Sequence, residues 1–358
     1  MKRAFSVLFA VLLLGGCAPP VHTRELEQLQ VIQTLGCDGR PGAVTVSISS
    51  GPDPSGEAPL RLTAEGRSIT EALQGLQDAS PREELFFAHV RFAVIGETAS
   101  RAGLAPLLDH FERSTQTPLT VPLIVVRGGE ARTLLTGTEA EDFEATEQLN
   151  SLRRSLTHCP TLLEIGRDLG RDGAALSAAV ELLPAGENAP SAGEGALLLR
   201  PAGYAVWKDG ALAGYLDEQA AMGADMLRGY TPRSALVLST EKGPVTVELR
   251  SCRVRIAPAR GAIAGVSVTC RAGIREAAGL PRLDADALHT LSEMLARELL
   301  ERVEAALRES QAMNADVAGL GAALGRTAAD YAALRWRAEV TAEIERSYDI
   351  NESGKMAP

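Results

Sequence analysis

Apolar and polar residues follow two different spacings along this chain, one typical of strands and one typical of helices. In residues 43–50, valine and isoleucine alternate with serine and threonine, which places the apolar side chains on one side of a β-strand. In residues 284–309, leucine or valine recurs every three or four positions, and Asp284 can cap the first turn. This second pattern predicts the longest helix of the chain, roughly 39 Å at 1.5 Å per residue.

The first half of the chain alternates between predicted strands and predicted helices. Ser68 and Glu71 have the spacing of a capping box and predict a helix over residues 68–79. Further strands are predicted at residues 26–35, 86–96 and 119–126, and further helices at residues 100–113, 130–135 and 141–156, with a less regular stretch up to residue 182. This alternation predicts an N-terminal α/β domain.

After residue 195 the pattern changes to paired strands. Asp209 and Gly210 stand between the apolar runs 197–207 and 212–216, and Asp-Gly in that position is typical of a β-hairpin. Further strands are predicted at residues 234–239, 245–256 and 263–274. The apolar stripe of the long helix needs a partner, so the sequence predicts a C-terminal antiparallel sheet packed against it.

Residues 183–193 combine proline, glycine and small polar residues and form the clearest boundary in the sequence. The predicted fold class is α+β, a mixed α/β protein of about three domains. The predicted units are a signal peptide (1–16), a lipidated tether (17–25), an N-terminal α/β domain (26–185), a linker (186–195), a small middle β-rich domain (196–232), a C-terminal α+β domain (233–350) and a tail (351–358).

The chain starts with two basic residues, Lys2 and Arg3, followed by an apolar run over residues 4–14. A helix that crosses a bilayer takes roughly 20 residues, so this run is typical of a secretory signal peptide. It ends in Leu-Gly-Gly-Cys, which resembles the bacterial lipobox, and Cys17 is the expected lipidation site and mature N-terminus. A diacyl group would anchor the protein stably. The alternative is an ordinary secretory signal with an incidental cysteine.

The formal net charge of the chain is −10, and removal of Lys2 and Arg3 with residues 1–16 lowers it by two, to −12. Nucleic-acid binding needs patches of lysine and arginine, so the acidic composition argues against a nucleic-acid partner. The acidic body is also expected to stand off from anionic head groups, which leaves the acyl chains to hold it. Aromatic residues make up 4% of the chain, too few for a ligand pocket built from stacked rings.

Two of the remaining cysteines, Cys252 and Cys270, lie in neighbouring predicted strands. If the hairpin between them turns about Gly261, the two side chains face one another. An extracytoplasmic setting would then allow a disulfide that stabilises the fold by up to about 3 kcal/mol. The alternative is a pair of buried free thiols, because a shift of one residue in the strand pairing would place the side chains on opposite faces.

Residues that carry catalysis, bind metals or bind cofactors do not form a recognisable motif. The five histidines are scattered, and none is expected to be a ligand or a catalyst; they are His22, His89, His110, His158 and His289. Gly319, Gly321 and Gly325 imitate a dinucleotide fingerprint, but their spacing is wrong and they lie among helical residues. The acidic groups at Asp284 with Asp286 and at 139–142 are interpreted as helix starts. No catalytic residue, metal or cofactor is predicted.

Several stretches together resemble the C-subunit lipoproteins of spore germinant receptors, the Ger(x)C family. Their order and spacing hold across nearly the whole mature chain, although this chain has few lysines where the family is often lysine-rich. The stretches are the lipobox at Cys17, residues 24–29, 35–38, 89–97, 107–109 and 203–216, the long helix, and residues 315–324.

The resemblance implies a non-enzymatic subunit on the outer surface of the spore inner membrane. There it would respond to nutrients together with a polytopic A subunit and a transporter-like B subunit. The family has no catalytic residues to transfer to this chain, so only Cys17 has a chemical role.

Two other functions share some of these features. An extracytoplasmic solute-binding lipoprotein would have the same anchor, but it should show two similar α/β lobes around a polar or aromatic cleft. A cell-wall hydrolase would need paired carboxylates or a metal site in a cleft. The predicted hairpins after residue 195 argue against the first, and the lack of a matching motif argues against the second.

Overall fold

The structure is a computed structural model, and it describes residues 29–51, 58–80, 84–136, 145–184, 197–259, 263–277, 284–325 and 328–345. The strands are β1 (Leu29–Val31), β2 (Thr34–Arg40), β3 (Ala43–Ser49), β4 (Arg61–Gly66), β5 (Glu84–Phe86), β6 (Phe92–Gly96), β7 (Leu123–Val126), β8 (Ala174–Pro184), β9 (Leu197–Lys208), β10 (Ala211–Leu216), β11 (Ala235–Thr240), β12 (Gly243–Ala259), β13 (Ile263–Ala277) and β14 (Arg335–Glu345). The helices are α1 (Ile69–Ala79), α2 (Glu97–Ala102), α3 (Ala105–Arg113), α4 (Ala131–Thr136), α5 (Ala145–Ser155), α6 (Leu162–Asp172), α7 (Glu218–Leu227), α8 (Ala285–Ala312) and α9 (Leu320–Ala323), with a 3₁₀ turn at Ala328–Ala333.

The larger sheet has eight strands in the order β10-β9-β8-β7-β6-β2-β3-β4. Its centre, from β8 to β2, is parallel, and antiparallel pairs flank this centre on both sides. Along β6, Ala93 and Ile95 face one apolar cluster, whereas Phe92 and Val94 face another. Helices α1, α3 and α6 pack in the first cluster, and α4 and α5 pack in the second. The central strands are therefore buried on both faces, as parallel strands generally are.

The smaller sheet has four strands in the order β11-β12-β13-β14. Strands β11, β12 and β13 are antiparallel, as predicted, but β14 lies parallel to β13. The chain passes through α8 between β13 and β14, and a helical crossover of this kind returns the chain parallel to its first strand. The amide N–H of Ile344 donates to Ser292 Oγ at 3.0 Å, and Trp336 Nε1 donates to Gln311 Oε1 at 3.0 Å, so α8 runs along β14.

The two sheets share one apolar core. Leu176 on β8 and Val206 on β9 belong to the same cluster as Leu238 on β11, Val266 on β13 and Leu299 on α8. Strands β9 and β10 complete the larger sheet, so they do not form a separate sheet in the middle of the chain. The linker expected at residues 186–195 lies outside the described residues, and the division into three domains stays a prediction.

Where the local signals are strong, the predicted elements are confirmed. Ser68 Oγ accepts from the N–H of Glu71 at 3.2 Å at the start of α1, and Asp284 Oδ1 accepts from Ala287 at 2.9 Å at the start of α8. Between β9 and β10, Asp209 has a φ of 50° and Gly210 a φ of 84°. Two left-handed residues in sequence are what a tight hairpin turn requires.

Other predictions differ from the structure. The helix expected at residues 100–113 is divided into α2 and α3 at Gly103, whose φ of 117° cannot continue a helix. The strand expected at residues 86–96 is two short strands, β5 and β6. The stretch described as less regular contains α6 and β8, and α7 was also missed.

Candidate functional site

The expected lipidation site, Cys17, lies outside the described residues together with the whole leader. Acylation of Cys17 therefore stays a prediction. Within the part of the chain that the structure describes, no helix is both long enough and apolar enough to cross a membrane.

The two cysteines of the predicted pair lie directly opposite one another in the smaller sheet. Cys252 on β12 is the cross-strand partner of Cys270 on β13, and their Sγ atoms are 2.7 Å apart with no S–S bond between them. The N–H of Cys252 donates to Thr231 Oγ1 at 3.0 Å, so it does not take part in the ladder with β13. Side chains are closest at such non-hydrogen-bonded pairs, and the geometry suits a disulfide.

Hydrogen bonding between the two thiols and burial both change their acidity. The contact with Cys270 raises the pKa of Cys252, and burial raises it further. The same contact lowers the pKa of Cys270. Because the two thiols share one hydrogen bond, the first proton is lost from the pair, and the S–H that remains stabilises the neighbouring thiolate.

We expect the oxidised chain to resist chemical denaturation better than the reduced chain, by up to about 3 kcal/mol, because a disulfide restricts the unfolded chain. Denaturation with and without a reductant measures this difference, and the double variant Cys252→Ser/Cys270→Ser should show none. If iodoacetamide labels all four of Cys37, Cys159, Cys252 and Cys270 in denaturant without a reductant, the pair is not oxidised.

A cleft of about 470 Å³ lies where the parallel strands of the larger sheet end. Glu97 follows β6, Arg127 follows β7, and Glu181 lies near the end of β8. Glu97 accepts hydrogen bonds from the Gly128 N–H at 2.5 Å and from the Tyr215 hydroxyl at 3.1 Å. The Arg127 guanidinium lies 4.7 Å from the centre of the Tyr215 ring and 3.6 Å from Glu181. Ligands of α/β proteins commonly bind at this edge of the sheet.

The charges of this cleft neutralise one another. Arg101 contacts Glu97 at 2.6 Å, and Arg200 contacts Glu181 at 2.5 Å. Burial raises the pKa of Tyr215, and the neighbouring Glu97 carboxylate raises it further, so its hydroxyl stays protonated and donates. The cluster therefore connects β10 to the ends of β6, β7 and β8.

A buried polar cluster lies between the two sheets. The Tyr204 hydroxyl on β9 donates to Asp225 Oδ1 on α7 at 2.6 Å. Burial raises the pKa of Asp225 to about 6, although hydrogen bonds from Tyr204 and Thr157 act in the opposite direction. Burial raises the pKa of Tyr204 strongly as well.

Because the pKa of Asp225 is raised by folding, the folded state holds this proton more tightly than the unfolded state, whose pKa is about 3.9. Stability should therefore fall as the pH rises from about 4 to about 6, by roughly 2–3 kcal/mol from this group. Urea denaturation across this range measures the slope. Asp225→Asn should flatten it, whereas an unchanged slope would assign the pH dependence to other groups.

Arg228, at the end of α7, makes the second set of contacts between the sheets. Its Nη2 donates to Asp168 Oδ2 on α6 at 2.5 Å, and its Nη1 donates to the carbonyl of Val317 at 3.1 Å. Asp168 also accepts from the exposed Arg167 at 3.0 Å. Burial alone would raise the pKa of Asp168, but the bonds and charges of these two arginines lower it.

Arg228→Ala should lower the free energy of unfolding by about 2–4 kcal/mol at pH 7, because it leaves the buried Asp168 carboxylate without its buried partner. Arg167→Ala is the control, since Arg167 binds the same carboxylate from the surface and should cost less than about 1 kcal/mol. The effect of Arg228→Ala should shrink in acid, once the pH falls through the lowered pKa of Asp168. Equal losses for the two variants would contradict this assignment.

The histidines and acidic groups considered in the sequence analysis do not form a common site among the described residues. His158 stacks on Tyr230 with ring centres 4.3 Å apart, while His89, His110 and His289 lie elsewhere and His22 is outside the described residues. Across the described ranges, no group of three or more metal-binding side chains is present. Of the acidic groups, Asp284 caps α8, and residues 139–142 are not described.

The glycines that imitate a dinucleotide fingerprint surround the short helix α9. This helix follows α8 and not a strand, and Asp316 accepts from the N–H groups of Leu320 and Gly321 at 2.8 and 2.6 Å. A carboxylate thus occupies the position where a nucleotide phosphate would bind. The interpretation of this motif as a false match is supported.

Two family models match this chain, one in each half. The first, described as spore germination protein N-terminal domain, matches residues 22–169, and the second, described as spore germination B3/GerAC like, C-terminal, matches residues 202–354. Both describe spore germination proteins. The chain belongs to the Ger(x)C family, as the resemblance of its sequence implied.

A relative agrees with this family, and a solved structure shares the fold. The putative spore germination protein YfkR of Bacillus subtilis (strain 168) is 30% identical over 222 residues, which are 61% of this chain and 53% of that protein. The chain thus spans about half the length of this curated relative. The crystal structure of the GerBC protein is similar in fold, with a TM-score of 0.52 at 14% identity over 87% of this chain and 97% of that one.

These findings confirm the mixed α+β fold class and support a role in spore germination. The family is not a known enzyme family. A spore-related location also follows from the family.

Proposed function

We propose that this chain is the lipid-anchored C subunit of a nutrient germinant receptor, needed for the germination response and acting through contacts with other proteins. The observation that carries the proposal is the match of both halves of the chain, residues 22–169 and 202–354, to models of spore germination proteins. The described body is consistent with this function, because the buried polar contacts of Asp225 and Asp168 hold its two sheets together.

The partners proposed for this subunit are the membrane-embedded A and B subunits of the receptor. The shared core between the sheets, with Tyr204, Asp225 and Arg228 at its polar centre, supports a body that presents its surfaces in fixed positions. Such a body can transmit contacts made on one side to partners on another. Its proposed location is the outer face of the spore inner membrane.

The solute-binding lipoprotein that was considered as an alternative requires two similar lobes. The two sheets of this chain have eight and four strands and different helix arrangements, so the described residues do not form such lobes. The alternative is therefore not supported.

Deletion of the coding sequence tests the receptor assignment. Spores without the chain should fail to germinate with particular nutrients, while vegetative growth stays normal. Affinity purification from spore membranes of the complemented strain should recover two integral membrane proteins together with the chain. Normal germination with every nutrient, in a strain from which all other germinant receptors have also been removed, would overturn the proposal.

A further inference from the structure

The smaller sheet has one covered face and one open face. Val254 on β12, Val266 on β13 and Val340 on β14 point into the core shared with α8. The residues that alternate with these core residues along each strand, such as Ser267 and Thr269 on β13, are exposed on the other face. Nothing among the described elements covers this open face.

Four exposed arginines lie at the hairpin end of the open face. Arg253 and Arg255 are on β12, Arg335 and Arg337 are on β14, and β13 runs between them. Arg253 and Arg255 lie level with Thr269 and Ser267 of β13, whereas Arg335 and Arg337 lie level with Ile263 and Gly265, so the two pairs are offset along the sheet. Arginines of one pair are about 7 Å apart, and the backbones of Arg255 and Arg337 are roughly 12 Å apart. On this face β13 contributes Ile263, Gly265, Ser267 and Thr269 between the two pairs. We call these four residues the arginine face.

The charges of the arginine face are mostly not neutralised. In the described part of the chain, Arg253, Arg255 and Arg335 have no acidic partner, and Arg337 lies 3.3 Å from the exposed Glu339. Four guanidinium groups against one carboxylate leave a net charge of +3, on a chain whose net charge is −10.

Elsewhere on the same sheet the arginines are paired with glutamates. Arg250 contacts Glu345 at 2.7 Å, and Arg275 contacts Glu248. The unpaired charge is thus confined to the hairpin end of the sheet.

We propose that the arginine face binds anionic phospholipid head groups at the membrane surface. Guanidinium groups donate several hydrogen bonds in one plane and match phosphate geometry. Around the arginine face the open side of the sheet offers small and polar side chains and the half-buried Ile263, whereas protein interfaces are usually anchored by fully buried aromatic residues. An anionic surface that needs only positive charge therefore fits better than a protein partner.

This proposal differs from the expectation, drawn from net charge, that the whole body stands off from anionic head groups. It rests on the proposed membrane location but not on acylation. The residues from Cys17 to Leu29 can span roughly 40 Å when extended, so a tether at Cys17 leaves the body free to turn this face to the membrane.

Vesicle binding tests the proposal without the acyl group. The protein is the chain without residues 1–17, because every described element and all three apolar clusters lie between Leu29 and Glu345. We expect it to co-sediment with vesicles containing 30% phosphatidylglycerol at low salt, and to remain in solution with vesicles of phosphatidylcholine alone. Because attraction between exposed charges is screened by ions, 0.5 M salt should release it.

The variant with Arg253, Arg255, Arg335 and Arg337 all changed to Gln should bind at least about 100-fold more weakly, since each arginine near an anionic surface strengthens binding roughly fivefold. A matched control removes four exposed arginines elsewhere on the surface: Arg67 just before α1, Arg113 on α3, and Arg297 and Arg308 on α8. It changes net charge equally and should keep most of the binding. Circular dichroism and thermal melting check that both variants fold.

Three outcomes would overturn the proposal. The first is no binding of the unchanged chain to phosphatidylglycerol vesicles, and the second is equal loss in the test and control variants. The third is tighter binding to a polyglutamate peptide than to the vesicles, which would assign the arginine face to an acidic protein partner. None of these outcomes bears on the deletion phenotype, so failure here and failure of the receptor assignment are distinguishable.

Discussion

Gly223→Ala is expected to lower the free energy of unfolding by about 3 kcal/mol, because the packing leaves no space for an added methyl group at this position. Gly223 lies in the middle of α7, where this helix crosses α8. A Cβ at this position would overlap the carbonyl oxygen of Arg302 and lie 2.6 Å from its carbonyl carbon and 3.0 Å from Ala306 Cβ. Because the obstacle is the backbone of a long helix, the two helices must separate to admit it.

Gly170→Ala is the matched control for this prediction. Gly170 lies in α6, and a Cβ there would meet nothing within 4 Å. Alanine is a better helix former than glycine, so this variant should gain about 0.5–1 kcal/mol. Urea denaturation of both variants measures the contrast. A loss smaller than 1 kcal/mol for Gly223→Ala would mean that α7 and α8 can move apart easily, and that the core between the sheets is looser than described.

The elements that could be predicted from the sequence are those whose stabilising contacts are local. The caps at Ser68 and Asp284 and the Asp-Gly turn at residue 209 each act within four residues, so the sequence alone identified α1, α8 and the β9–β10 hairpin. A local signal for α6 was also present, because Thr161 and Glu164 form a complete capping box. This capping box would have predicted the start of α6.

The pairing of strands that are distant in sequence could not be predicted in the same way. Residues 197–216 have the alternation of a free hairpin, and only the pairing of β9 with β8 joins them to the larger sheet. Strand β14 likewise alternates as any strand does, and its parallel position depends on the crossover through α8. The alternation of apolar and polar residues predicts that a strand is present. Which strands lie beside it in the sheet depends on the packing of the whole chain.

The charged sites show the same limit. The contacts of Arg228 with Asp168 and of Tyr204 with Asp225 join residues 60 and 21 positions apart, and no sequence motif links them. The sequence allowed two registers for the strands that carry Cys252 and Cys270, and in one of them the cysteines face each other, as they do in the structure. This pairing could be predicted because it depends on a single hairpin. The arginine face was hidden by net charge, because an average over the chain does not reveal how charges are distributed on one sheet.

Cys17→Ala is expected to abolish incorporation of a palmitate analogue and to shift the protein from the membrane fraction to the aqueous fraction. Each buried methylene contributes about 0.8 kcal/mol to anchoring, so the acyl chains dominate the free energy of membrane association. Cys159→Ala is the matched control, because it removes another cysteine and keeps the proposed lipobox intact. This control should be labelled and located as the unchanged protein is.

The arginine face adds a second expectation to the same experiment. If it binds head groups, a fraction of the Cys17→Ala protein should stay with the membrane at low salt and leave it at 0.5 M salt. The acylated protein should stay with the membrane at both salt concentrations. Mass spectrometry of the N-terminal peptide determines whether the leader has been removed, which separates retention by the leader from retention by the arginines. Unchanged, salt-resistant membrane association of a leaderless Cys17→Ala protein would contradict the acyl anchor.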